Sequence, residues 1–187
     1  MGKADEVRLE LGSGLRPTRG YTHADLHPFP HIEHVGDAWM LDLPDASVDE
    51  VFALAFIEHL TYEQALDTFR NVRRMLRPDG QFLFDVPDYP AWAAYYLHHL
   101  GVYVEGPDWL DRRPDIDHIR RTLFGWQRWP GDTHQYGWDT DHLGDALESC
   151  GFFVNSFDDV APFKARAYRQ RFDRPWDAHL YVVARPA

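Results

Sequence analysis

The sequence predicts an α/β domain built on an open, mostly parallel sheet. Three observations carry that expectation. First, three short strand-like runs in succession end in Gly12-Ser13-Gly14, in Asp25 and in Asp37. In an open parallel sheet ligands lie outside the carboxyl ends of the strands, so glycines and acids there mark a ligand edge. Second, Val51-Phe52-Ala53-Leu54-Ala55-Phe56-Ile57 is the most apolar run in the chain. Such a run suits a central parallel strand covered on both faces. Third, a helix and another strand follow it directly, as a crossover connection requires.

Taken in order, residues 1–6 are polar and expected to fray, and strand 1 covers 7–11. The loop 12–20 carries Pro17 and Gly20 as breakers. Tyr21 to Asp25 reads as strand 2, and the short span from Gly14 to Asp25 predicts an abbreviated first crossover. A Pro-broken loop over His27 to His31 leads to a third strand over Ile32 to Asp37. After strand 4, Thr61 and Gln64 form a Thr-x-x-Gln capping box, and Ala65, Leu66, Phe69, Val72 and Leu76 recur at helical spacing. Arg73, Arg74 and Arg77 crowd the predicted last turn, where cations suit the helix dipole, and Pro78 and Gly80 are read as its end. Strand 5 covers Gln81 to Val86. A helix over Pro90 to Leu100 follows, with Asp88 near its start and Gly101 past its end. Asp139 or Thr140 caps another, running to Cys150, with Leu143, Leu147 and Cys150 facing the core. Two final strands cover Phe152 to Phe157 and Leu180 to Ala184, separated by the basic run Lys164 to Arg174.

Composition narrows the class of partner. The chain has 187 residues, enough for one domain with a real core. Its net charge of −11 disfavours nucleic acid and anionic membrane surfaces, which require clustered Lys and Arg. A single cysteine, Cys150, permits no internal disulfide and fits a reducing cytoplasm. No basic-then-apolar leader opens the sequence, and Val51 to Ile57 is too short to span a bilayer.

The acids define the ligand. An acid at the end of strand 2 can accept two hydrogen bonds from a ribose diol. One at the end of strand 3 can accept from an exocyclic amine. The Gly-x-Gly-x-x-Gly fingerprint that cradles a pyrophosphate is incomplete, since Pro17 stands where the third glycine falls, and there is little room for the phosphate-holding helix. A cofactor with ribose and adenine but no phosphate fits better.

Leu9-Glu10-Leu11-Gly12-Ser13-Gly14, His23-Ala24-Asp25, Gly36-Asp37-Ala38, Leu43-Pro44 with Val48-Asp49-Glu50-Val51, Glu58-His59-Leu60 and Leu76-Arg77-Pro78-Asp79-Gly80 stand in sequence. Together they resemble class I S-adenosylmethionine-dependent methyltransferases, over roughly residues 7–88 and again over Leu143 to Phe152. The resemblance implies a Rossmann-like α/β fold, a mostly parallel seven-stranded sheet in the order 3-2-1-4-5-7-6 with the last strand antiparallel, and S-adenosylmethionine as cofactor. It implies that Glu10, Gly12, Ser13 and Gly14 surround the methionine part of the cofactor. Asp25 would hold the ribose, Leu26 would pack on the adenine, Asp37 and Ala38 would contact it, and Ala55 and Phe56 would lie near the sulfonium. Arg16, where many members carry another glycine, departs from the pattern.

Methyl transfer is a displacement at carbon in which alignment of nucleophile and methyl group dominates. A base is needed when the nucleophile carries a proton, and His has the suitable range. Glu58 and His59, directly after strand 4, are candidates, as is His134. The alternative is that Glu58 and His59 merely cap and pack the turn. His23, His27, His31 and His34 cluster, but Pro28 and Pro30 break any regular element, so no metal site is expected. Residues 89–138 hold Trp109, Phe124, Trp126, Trp129, Tyr136 and Trp138. This segment is expected to form a substrate-covering insertion within a single domain, 1–187, because the other elements already account for a core. An aromatic, partly polar cover suits a small ring-containing acceptor. The rival readings are methyl transfer to nucleic acid or protein, which Lys164 to Arg174 would serve, and a cofactor-binding subunit without chemistry. The sequence is open between a monomer and a homodimer.

Overall fold

A computed structural model describes residues 6–102, 115–166 and 178–187. Among these, seven strands form one sheet in the order β3-β2-β1-β4-β5-β7-β6. They are β1 (Arg8–Leu11), β2 (Thr22–Asp25), β3 (His34–Val35), β4 (Val48–Leu54), β5 (Leu76–Pro87), β6 (Phe152–Ser156) and β7 (His179–Pro186). The pairs β1–β2, β1–β4, β2–β3 and β4–β5 are parallel, and β7 runs antiparallel to both β5 and β6. This is the expected order and the expected antiparallel strand.

Period-2 alternation sorts the strand residues between two layers. On one face Leu9, Leu11, Val51, Ala53, Phe82, Phe84, Val182 and Ala184 join the main core. Helices α1 (Tyr62–Met75) and α4 (Thr140–Ser149) contribute to it through Ala65, Phe69, Val72 and Met75 and through Leu143, Ala146 and Leu147. On the opposite face Phe52, Leu54, Leu83, Tyr181 and Val183 pack with Tyr21 and with Phe163 of α5 (Ala161–Arg166). Full burial of each large side chain contributes about 1.5–3 kcal/mol. The helices α2 (Tyr89–His99) and α3 (Ile116–Phe124) make a third, smaller cluster from Trp92, Tyr95, Ile119 and Leu123.

Local rules account for the helix starts. The Thr61–Gln64 capping box is complete, with the Thr61 hydroxyl accepting from the Gln64 amide and the Gln64 side chain accepting from Thr61. Asp88, Asp115 and Asp139 cap α2, α3 and α4 through their carboxylates.

Several boundaries differ from expectation for identifiable reasons. Strand β4 begins at Val48 and ends at Leu54. Ala55 turns out of the sheet with φ +49, and Ile57–His59 form a 3-10 turn. Strand β3 shrinks to two residues, and no helix stands between β1 and β2, so the first crossover is shorter than an abbreviated helix. Helix α1 stops at Met75, before Pro78 and Gly80. Those residues instead shape a bulge in β5, where pairing shifts from Val48–Leu76 to Glu50–Gln81. Arg77 lies in that bulge and bonds Asp49 at 2.6 Å.

Part of the basic run is structural and not a solvated loop. Arg166 ends α5 and its Nε donates to Glu50 Oε1 at 2.7 Å. The buried Glu50 carboxylate also accepts from the Tyr21 hydroxyl and from Gln81 Nε2. The rest of the run, from residue 167 onward, lies outside the described residues, as does Trp109.

Burial opposes the charged form of Glu50, but Arg166, Tyr21 and Gln81 outweigh it and hold its carboxyl below the ordinary 4.5. Removing one partner of a buried pair costs about 3 kcal/mol, because the other charge is left uncompensated. Arg166→Ala is therefore expected to lose about that much in urea unfolding at neutral pH. The depressed pKa makes the stabilisation present at neutral pH and lost as pH falls through the folded-state value. The variant should accordingly show a flatter acid limb than the wild type.

Candidate functional site

The carboxyl edge of the sheet gathers two neighbouring groups of residues. The first is the loop after β1. Glu10, buried at the end of β1, accepts from the Thr18 amide and the Thr18 hydroxyl, both at 2.7 Å. These bonds curl residues 12–18 back over the strand, which is why the chain reaches β2 without a helix. The Gly12 amide donates to the Ala24 carbonyl at 2.8 Å, and the Gly14 amide donates to Asp25 Oδ2 at 2.9 Å. Asp25 Oδ1 accepts from the His27 amide at 2.8 Å. His31 Nε2 donates to the Gly14 carbonyl at 2.9 Å. The expected cofactor residues Glu10 and Asp25 thus both work as struts of the loop. Each carboxylate oxygen of Asp25 has two lone pairs, so accepting capacity remains for a diol.

Ser13 is buried, and its hydroxyl has no hydrogen-bond partner. A buried polar atom left this way costs about 1–3 kcal/mol unless a ligand or water completes it. Leu26, just past Asp25, is 60% exposed. Asp37 precedes the 3-10 turn Ala38–Met40. Asn71 of α1 anchors that turn by donating to the Ala38 and Leu41 carbonyls at 3.0 and 3.1 Å. A groove of about 530 Å³ runs here, lined by Gly36, Asp37 and Met40 among others.

The second group follows β4. Asp85, fully buried in β5, accepts from the Ala55 amide at 2.8 Å and faces His179 Nδ1 of β7 at 3.0 Å. Ala55 lies in the left-handed region, which costs a residue with a Cβ about 1–2 kcal/mol. The bond to Asp85 holds it there. The turn aims the Phe56 ring at Gly12, so a Cβ on Gly12 would fall 2.4 Å from a ring carbon. Phe56 is therefore the point where the two groups meet.

Two residues on, Glu58 is buried and its Oε2 has no partner. Its carbonyl accepts from the Gln135 amide at 2.8 Å, which ties the segment before α4 to the end of β4. That tie brings His134 against His59, with ring centroids 4.8 Å apart and planes at 89°. His59 Nδ1 donates to the Thr133 carbonyl at 3.2 Å. Burial, reinforced by the Asp85 charge, pushes the Glu58 carboxyl up, although His59 and His179 oppose it. Burial, with the nearby His59, pushes His134 down to about 4, so its ring is neutral at physiological pH.

All three expected catalytic candidates, Glu58, His59 and His134, thus come together beside Phe56. Sequence reasoning missed Asp85 and His179. The available signal for Asp85 was an acid inside the apolar run Phe82 to Val86. His179 carries no local signal. The cluster His23, His27, His31 and His34 does other work: His23 Nε2 donates to the Thr18 carbonyl at 3.0 Å, and the rings of His27, Phe29 and His31 stack. The segment 89–138 divides its described aromatics. Trp138 is buried in the main core, and Tyr136 packs against that core. Phe124, Trp126 and Trp129 are exposed, with Arg121 and Arg128 over the Trp rings.

Residues 20–84 match a family model described as a methyltransferase domain. The match spans Asp25, Asp37, β4 and most of β5, and begins after Gly12–Gly14. No curated protein matches the chain. Solved structures share the fold. An S-adenosylmethionine-dependent methyltransferase from Mesorhizobium loti is 20% identical with a TM-score of 0.56, covering 99% of this chain and 93% of that one. The Burkholderia thailandensis 1,6-didemethyltoxoflavin-N1-methyltransferase, with 1,6-didemethyltoxoflavin and S-adenosylhomocysteine bound, is 16% identical with a TM-score of 0.56 over 97% of this chain and 71% of that one. A chain from a complex of the Haloferax volcanii Trm112 methyltransferase activator with a methyltransferase is 14% identical, with a TM-score of 0.58 over 99% and 83%.

The contact between the two groups is open to test by substitution. Gly12→Ala meets both a φ of +63 and the Phe56 ring. It is expected to cost about 2–4 kcal/mol, from the left-handed backbone and from overpacking. Gly20→Ala, with a φ of +81 but open space around it, is expected to cost only about 1 kcal/mol. Chemical denaturation of the two variants side by side checks the difference.

Proposed function

We propose that this chain is a class I S-adenosylmethionine-dependent methyltransferase and that it methylates an oxygen or nitrogen atom of a small, ring-containing acceptor. The observation that carries the reading is the convergence of Glu58, His59 and His134 at the carboxyl end of β4, two residues beyond the Phe56 ring that lies on Gly12. A nucleoside-bearing cofactor along the β1–β3 edge would end there.

The residues present suit such a cofactor. Ser13 offers an unpartnered buried hydroxyl beside the glycines, and Asp25 keeps lone pairs free. The exposed Leu26 gives an adenine ring an apolar face. In this reading Glu10 and Gly12–Gly14 shape the methionine end, Asp25 holds the ribose, Asp37 and Ala38 border the adenine, and Ala55 and Phe56 line the path to the methyl group. When bound, S-adenosylmethionine supplies an electrophilic methyl group on a sulfonium. The remaining task is alignment of the acceptor and disposal of its proton. Glu58, His59 and His134 flank the end of the path and so face the acceptor, which the segment 89–138 covers.

Small molecules are favoured over nucleic acid for a specific reason. The net charge is −11, and within the one basic run Arg166 turns inward to Glu50. The Burkholderia enzyme's ring-containing acceptor falls in the proposed class.

Two measurements test the reading. Asp25→Ala is expected to weaken S-adenosylhomocysteine binding at least about tenfold in calorimetry, a difference of about 1.4 kcal/mol. Unchanged binding would contradict the assigned cofactor position. In transfer assays with methyl-labelled cofactor, label is expected in hydroxy- or amino-aromatic compounds and to fall in His59→Ala and His134→Ala with cofactor affinity kept. Label appearing instead in RNA or protein would overturn the acceptor class.

A further inference from the structure

We infer that Glu58, His59 and His134 form a binding site for one divalent transition-metal ion of the zinc class, with an open position toward the acceptor. A ligand-type atom from each of the three lies within 4.8 Å of the other two. Among the described residues, no other group of three His, Cys, Asp or Glu side chains is gathered this closely. Atoms about 2.1 Å from a tetrahedral ion lie roughly 3.4 Å apart, so small side-chain rotations complete the approach. Two histidines and one carboxylate are an established ligand set for zinc sites that keep a fourth position open.

Three further features point to an ion and not to packing alone. Glu58 is 2% exposed, yet its Oε2 has no hydrogen-bond partner. A buried carboxylate oxygen in that state needs a cation or a proton. His59 Nδ1 donates to the Thr133 carbonyl, which fixes the tautomer and leaves Nε2 as an acceptor. A backbone carbonyl that orients the far nitrogen of the ring in this way is a usual support of a metal-binding histidine. Both rings are only half-buried, which leaves each reachable by an ion.

The consequence for chemistry rests on the proposed methyl transfer. An acceptor hydroxyl entering the open position would be acidified by the ion, as bound water is. Its proton leaves to solvent, its oxygen lone pair forms the new C–O bond, and the C–S bond breaks with its electron pair going to sulfur. This selects hydroxyl-bearing acceptors, phenols or enols, from the broader class.

The test uses the full chain, stripped with a chelator and then titrated with Zn2+ alone by calorimetry and with Co2+ by visible absorption. One Zn2+ per chain is expected, together with cobalt bands of a low-coordinate nitrogen–oxygen site. His134→Ala and Glu58→Gln are expected to weaken Zn2+ binding at least about 100-fold, whereas the double variant His27→Ala/His31→Ala keeps it. Metal-free melting curves establish that each variant is folded, and His134→Ala serves if Glu58→Gln is not. No Zn2+ binding by the wild type, or equal binding by His134→Ala, overturns the site. Zn2+ binding without methyl transfer leaves the site and refutes the reaction. Methyl transfer that survives the chelator, with no Zn2+ bound, refutes the site and leaves the reaction.

Discussion

The carboxylate of Asp85 is the constraint on which the carboxyl edge of the sheet depends. It is fully buried in β5, accepts from the Ala55 amide and faces His179 of β7. One side chain thereby ties the ends of three neighbouring strands. It also holds Ala55 in a backbone region that residues with a Cβ avoid. From that turn follow the placement of Phe56 on Gly12, the inward position of Glu58 and the presentation of His59. Strain held by a buried hydrogen bond is commonly found at functional edges, because the surrounding structure must over-determine the geometry.

A second theme is the double use of acids. Glu10 and Asp25 close the loop after β1 through backbone and hydroxyl donors, and Glu50 anchors α5 through Arg166. The acids at the strand ends were expected to act on a ligand. In the structure they first satisfy the amides of a loop too short to form a helix. The same requirement explains the shape of the cofactor reading. With no helix after β1 there is no bundle of free amide groups for a pyrophosphate, whereas a diol and an adenine ring need only Asp25, Leu26 and Asp37.

What was legible in the sequence follows the range of the interactions involved. The Thr61–Gln64 box spans three residues and was read correctly; Asp88 was placed near the start of α2, and the choice between Asp139 and Thr140 at α4 falls to Asp139. The strand order came from a resemblance carried by many motifs in register. The bounds of β4 were not legible from the apolar run alone, because the buried Glu50 inside the strand is paired by Arg166, far along the chain, and Ala55 leaves the sheet through its bond to Asp85. The end of α1 was misplaced since Pro78 and Gly80 serve a bulge, and a bulge depends on the neighbouring strand. Each member of the Glu58, His59 and His134 group was a candidate on its own. Their meeting depends on the Gln135 amide reaching the Glu58 carbonyl, a contact that no local pattern encodes. His179 was invisible for the same reason.

The central claim is that the loop after β1 and the cluster after β4 are two ends of one site, joined at Phe56. A crystal structure with S-adenosylhomocysteine bound tests it most directly. The account predicts the sulfur beside Ala55 and Phe56, facing Glu58, His59 and His134, with the ribose on Asp25 and the adenine between Leu26 and Asp37. A cofactor whose sulfur points away from the cluster, or whose ribose avoids Asp25, would contradict it.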